Sequence, residues 1–186
     1  MDYEALYNEQ IKINNDLSKV NKRLLNKIKD LSRQAYTDEL TKLYNRFGMK
    51  RILSLNECDY AMLFIDIDNF KEINDKYGHD YGDIILIEIA NILKRNVFTS
   101  DFVVRLGGDE FIIFFREINV DKIYKKGLTI KDNIALIKTP SNIPLTFSGG
   151  VTIHKRDDNI METIKKVDYA LYKSKQNGKN KITIID

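Results

Sequence analysis

Residues 61–67 read Ala-Met-Leu-Phe-Ile-Asp-Ile, a near-continuous apolar run of the kind a central strand shows when both its faces are covered. Its one charged member, Asp66, falls near the end, where a buried carboxylate is costly unless it has a task. Beyond it the period changes. Residues 69–76 read as a short helix closed by Gly78, and 84–97 as a longer one whose Leu86, Ala90, Leu93 and Val97 step by four, three and four. Two short β runs follow at 101–105 and 111–115, joined by Leu106-Gly107-Gly108-Asp109-Glu110, which has the glycines and Asp that a hairpin turn requires. Residues 117–144 are weakly patterned. A strand at 145–153 then precedes a helix with Ile160, Ile164, Val167 and Leu171 on one face, capped by Gly178, and residues 181–186 close the sheet. Strands alternating with helices give an α/β domain. If the hairpin pairs beside residues 61–67, Asp66 meets Asp109 and Glu110, and ligands gather at strand ends in such sheets. Carboxylates converging there suit Mg²⁺, which takes one or two of them together with substrate phosphates and water, so a nucleoside triphosphate is the implied ligand. Taken separately, Asp66 and Asp68 also read as caps of the next helix, and the Gly-Gly-Asp-Glu segment as a polar turn.

Composition narrows the field. The 186 residues are 43% hydrophobic and 31% charged, with 2 Pro and 9 Gly, enough for one domain and an appendage and unlike disordered or collagenous chains. Lys and Arg number 30 against 27 Asp and Glu; this net +3 is too small for a sequence-independent nucleic-acid binder, and no nucleic-acid partner is expected. His79 and His154 are the only histidines and Cys58 the only cysteine, which excludes a disulfide framework and thiolate zinc clusters and leaves oxygen ligands for any metal. No stretch approaches the roughly 18 apolar residues of a spanning helix. The start of the chain is acidic and polar where a signal peptide would be basic and then apolar, so we expect a cytoplasmic protein without membrane insertion.

Residues 1–36 stand apart. Tyr3, Leu6, Ile13, Leu17, Val20 and Leu24, with Gln10 in the vacant position, alternate steps of three and four, the seam of a coiled coil. Ile28, Leu31 and Ala35 continue the series after a four-residue insertion that locally unwinds a supercoil. We read this segment as a signalling and dimerisation helix of a parallel homodimer; a solitary amphipathic helix packed on its own domain is the alternative.

The segment Arg105-Leu106-Gly107-Gly108-Asp109-Glu110-Phe111 resembles the signature that names the GGDEF-domain diguanylate cyclases. Four further motifs occur in the family's order. Asp38-Glu39-Leu40-Thr41 with Asn45-Arg46 is similar to its DxLT…NR opening. Asp66-Ile67-Asp68-Asn69-Phe70-Lys71, with Asn74-Asp75, Gly78-His79 and Gly82-Asp83, is similar to its nucleotide-binding strand and helix. Ser148 with Gly150, and Asp168 to Tyr172 with Lys175 and Gly178-Lys179-Asn180, are similar to its closing segment. The likeness runs from about residue 37 to the end.

The resemblance implies a palm-like, nucleotidyl-cyclase-like α+β sandwich at 37–186, its central, mostly antiparallel sheet flanked by helices. It implies condensation of two GTP into cyclic di-GMP with release of pyrophosphate, each subunit of a dimer holding one GTP. Asp66, Asp109 and Glu110, with the Ile67 carbonyl, would hold Mg²⁺ or Mn²⁺, and Asp109 and Glu110 would be catalytic. Asn74 and Asp83 would read guanine, whose N1–H and exocyclic amine need acceptors. Phe70, Lys71, Gly107, Gly108, Lys175 and Lys179 would complete the substrate site. Asp83 also reads as the N-cap of a helix from Ile84. Lys179 stands where the family commonly has Arg, keeping the charge without the fork. At the family's RxxD inhibitory site Asp101 is present, but Phe98 occupies the Arg position, so no feedback inhibition is expected there. No sensor segment is visible, which implies input from a partner chain or from a missing sensor domain. A catalytically weak module that binds GTP or cyclic di-GMP remains the alternative.

Overall fold

In a computed structural model, residues 3–55, 58–140 and 144–185 are described. They form six helices and five strands and divide into two units, Met1–Tyr36 and Thr37–Asp186. The first unit is one helix, α1 (Tyr3–Tyr36), with Ile13, Leu17, Val20, Leu24, Ile28 and Leu31 all exposed.

The second unit is built around β1 (Tyr60–Ile67), buried along its whole length. Alternation of side chains across a strand explains the unbroken apolar run. Ala61, Leu63, Ile65 and Ile67 belong to one core cluster with Ile85, Leu86, Ile89 and Leu93, whereas Tyr60, Met62 and Phe64 belong to another with Met49, Val167 and Leu171. Asp66 follows on the second face. α2 (Arg46–Leu55) precedes β1; α3 (Phe70–Tyr77) and α4 (His79–Arg95) follow it. Next come the hairpin β2 (Phe102–Gly107) and β3 (Glu110–Phe115), then α5 (Val120–Ala135), β4 (Phe147–His154), α6 (Ile160–Gln176) and β5 (Ile182–Ile184). The sheet order is β2-β3-β1-β4-β5; only β4 and β5 run parallel, so the sheet is mostly antiparallel as expected.

Several boundaries move. α4 begins at His79, not Ile84, because its first turn is polar and carries no apolar period, although Gly82 there is buried. Asp83 consequently lies inside the helix and does not cap it; the N-cap position is Gly78. Nor do Asp66 or Asp68 cap α3, whose N-cap residue is Asn69 with no side-chain cap bond. The weakly patterned stretch contains α5, buried through Ile123, Gly127, Ile130 and Ile134. Its Gly127 packs closely against the sheet: a Cβ there would lie 2.6 Å from Ile182 Cδ1. Gly178 takes the expected place after α6: at φ +100° it donates its N–H to Lys175, and Lys179 donates to Ser174, closing a Schellman turn.

Candidate active site

Register assembles the acid end. β3 pairs with β1 so that Glu110 lies directly opposite Asp66, while β4 sets Ser148 on the other side of Asp66. Directly opposed residues of antiparallel strands point to the same face, the face that α6 covers, and Lys175 Nζ reaches Asp66 Oδ2 at 2.7 Å. The Ile67 N–H donates to the Asp109 carbonyl at 3.4 Å, tying the hairpin tip to the end of β1. Burial pushes the Asp66 carboxyl up; the Lys175 ammonium opposes this, and Asp109 and Asp68 add to it. Burial likewise raises Glu110, followed by the charges of Asp66 and Asp109, against the pull of Arg46. Asp66 and Glu110 thus both sense the Asp109 carboxylate.

The hairpin tip is braced from outside. Gly107 (φ +146°) and Gly108 (φ +53°) take conformations that side chains disfavour. Arg105 donates Nε and Nη2 to the Gly108 carbonyl and Nη1 to Asp38 Oδ1 at 3.0 Å. Asp38 Oδ1 also accepts from the Thr41 N–H and hydroxyl, and Arg46 Nε donates to the Leu106 carbonyl at 2.8 Å. Asp101 spends its carboxylate on the backbone N–H groups of Phe98 and Arg116, while the Phe98 side chain is exposed.

Asp68, which reads in sequence as a helix cap, has a different task in the fold. Only 6% exposed, it accepts from the Thr146 hydroxyl (2.7 Å), the Ser148 hydroxyl (2.7 Å) and the Asn180 N–H (3.0 Å). Lys179 and Asn180 both have positive φ, a conformation non-glycine residues adopt at a cost. Asp68 pins that turn, and Lys179 Nζ bonds Asn69 Oδ1 at the start of α3. Hydroxyls two residues apart, at 146 just before β4 and at 148 within it, are the signal in the sequence.

The remaining predicted residues lie on α3 and α4. Phe70 is buried, Lys71 and Asp83 are exposed, and Asn74 is half-buried with Oδ1 inaccessible and without a hydrogen-bond partner. The structure thus gathers Asp66, Asp109, Glu110 and Lys175 at the end of β1 and places Asn74 and Phe70 together beside Gly82.

Among the described residues, no three His, Cys, Asp or Glu side chains form a closed ion cage. The donor set nonetheless fits a hard divalent ion. Two carboxyls on paired strands are raised by burial and by neighbouring acids, Asp109 acting on both, a condition a cation relieves, and Mg²⁺ leaves much of its shell to phosphates and water.

Comparisons with known proteins agree with this geometry. Residues 35–181 match the family model described as "Diguanylate cyclase, GGDEF domain". Diguanylate cyclase DgcM of Escherichia coli is 34% identical over 159 residues, covering 82% of this chain and 39% of that protein. Diguanylate cyclase DosC of E. coli is 32% identical over 94% of this chain and 40% of its own length. The chain thus spans about two fifths of these relatives. The solved coiled coil and GGDEF domain of DgcB from Caulobacter crescentus, in complex with c-di-GMP, superposes with a TM-score of 0.82 at 27% identity, covering 95% of this chain and 98% of that one. A family match over nearly the whole α/β unit, together with relatives more than 30% identical over most of this chain, means that this chain belongs to the GGDEF diguanylate cyclase family.

Proposed function

We propose that this chain is a diguanylate cyclase that condenses two GTP into cyclic di-GMP and two pyrophosphates. The observation that carries the reading is the pairing of Asp66 with Glu110 across β1 and β3, with Lys175 on Asp66 and Asp109 tied to Ile67. In each half-reaction the 3′-oxygen of one GTP bonds to the α-phosphorus of the other. The bond to the β-phosphate oxygen breaks, pyrophosphate leaves with the electron pair, and the hydroxyl proton passes to a carboxylate of the hairpin tip or to water. Asp66, Asp109, Glu110 and the Ile67 carbonyl would hold Mg²⁺ or Mn²⁺, which when bound polarises phosphoryl oxygens and lowers the pKa of the attacking hydroxyl. Lys71, Lys175 and Lys179 counter the triphosphate charge. Gly107 and Gly108 leave open space where a Cβ would stand, so substrate can approach the hairpin backbone. Asn74 and Asp83 take the base edge.

The reaction needs two half-sites face to face. The exposed seam of α1, whose Leu17 and Leu24 are 54% and 55% accessible, is what a helix shows when its partner is a second copy. The DgcB match, described as a coiled coil with a GGDEF domain, supports the same reading. Its supercoil register would govern activity, with the input coming from a partner or a sensor domain. We assign the protein to the cytoplasm, where GTP is available; no described helix is long and apolar enough to cross a membrane.

The test is direct. Protein incubated with GTP and Mg²⁺ should release pyrophosphate and a cyclic dinucleotide, and a chelator should stop both. GTP binding without turnover would replace the cyclase with the binding module. Leu17→Glu with Leu24→Glu should abolish dimers and turnover together; activity in a monomer would refute control by the helix. Product should inhibit only competitively, and tight non-competitive inhibition would restore a site at Asp101.

A further inference from the structure

We propose that Gly82 is a positioning residue for guanine recognition: the Cβ it lacks is the space in which the Asn74 carboxamide is seated. The inference rests on the proposed reading of Asn74 as a base contact and deepens it.

Gly82 lies within the first turns of α4 and is buried. Its φ is not among the positive values recorded for the chain, so the backbone would accept any L-residue there. Glycine inside a helix costs stability relative to alanine, so its presence calls for a reason other than conformation. The reason is next door. A Cβ at position 82 would stand 1.9 Å from Asn74 Oδ1, 3.0 Å from Asn74 Cγ and 3.2 Å from Phe70 Cζ. Asn74 Oδ1 is buried and has no hydrogen-bond partner, so no bond fixes that end of the carboxamide; the seat made by Gly82 and Phe70 does. The backbone around it is anchored. The Asn74 carbonyl accepts the Gly78 N–H at 2.8 Å, and Gly78 turns the chain at φ +86° from α3 into α4. A methyl group at 82 would therefore displace the Asn74 side chain, whose Oδ1 no hydrogen bond holds back, while leaving the two helices in place. A carboxamide swung out of its seat no longer meets the edge of the base, whereas the acids at the end of β1 are untouched.

Gly82→Ala is the test, on the full chain with GTP, ITP and ATP as substrates. The KM for GTP should rise about tenfold, kcat should change much less, and the preference for GTP over ITP and ATP should shrink by a similar factor. The melting temperature should stay level or rise, because alanine favours the helix. On an Asn74→Ala background, where the collision is gone, Gly82→Ala should add nothing to KM. Equal losses with and without Asn74, or a fall in kcat and melting temperature with base preference intact, would overturn the role of Gly82. A natural protein with no preference for GTP would overturn the guanine reading itself; a preference that survives Gly82→Ala overturns only the positioning.

Discussion

At the end of β1, Asp66, Glu110 and Ser148 stand side by side because two neighbouring strands are in register, whereas across α3 and α4 Asn74 is set by an absent methyl group at Gly82. Charge governs the first region: Lys175 binds Asp66, and Asp109 helps to raise the carboxyls of both Asp66 and Glu110. Space shapes the second, where Asn74 Oδ1 bonds to nothing. The difference suits the two tasks proposed for the site. Phosphoryl chemistry needs carboxylates forced close together by a stiff frame, while reading a base needs one amide at one angle. Asp68 stands between them, with Asn69 as its neighbour, and joins the closing turn at Lys179 and Asn180 to the start of α3.

The largest effect should come from the acid end. Asp66→Asn or Glu110→Gln should lower the initial rate of pyrophosphate release about 10²- to 10³-fold. In chelator, Glu110→Gln should melt no lower than the natural protein, since burial and like charges already disfavour its ionised form; a large drop in melting temperature would make the acid structural.

Asn74→Ala should act on the other term, raising the KM for GTP about ten- to a hundredfold with a smaller loss in kcat. Steady-state kinetics that reverse this split would erase the distinction between the two regions.

Asp68→Ala should touch both. Three donors lose their acceptor, costing about 1–3 kcal/mol, and thermal denaturation should move down by several degrees. The KM should also rise a few-fold as Lys179 loses its support; an unchanged KM would confine Asp68 to the fold.

The smallest effect should be at the outer brace. Burial raises the Asp38 carboxyl, but hydrogen bonds from Thr41 and the charge and hydrogen bond of Arg105 outweigh it and leave the group below its ordinary value. A depressed carboxyl stabilises the fold fully above its unfolded pKa of about 4 and loses that contribution as pH falls through the lower folded value. Asp38→Asn should therefore cost about 1 kcal/mol at neutral pH. Urea titrations of variant and natural protein should converge in acid; a gap that persists there would mean that charge is not the cause.

Much of this could be read in one dimension. The unbroken run 61–67 announces a strand covered on both faces, and Asp66 and Glu110, which pair across β1 and β3, stand out in the sequence as acids at a strand end and a turn. What escaped were features whose cause lies elsewhere in the chain. α5 lies in the weakly patterned stretch, and its Gly127 packs against Ile182 on a distant strand. The first turn of α4 was hidden because its buried face is a glycine, and Asp83 was misplaced as a cap in consequence. Asp68 reads as a cap of the next helix because the donors it actually serves are distant, at 146, 148 and 180.

The sequence by itself determined the alternation that makes the sheet, the family to which the chain belongs and the residues that could bear charge, because periodicity and residue chemistry are local properties. Tertiary structure alone decided which carboxylates meet, which lysine answers Asp66 and where Asn74 has room to lie, because register and steric exclusion exist only between segments brought together from afar.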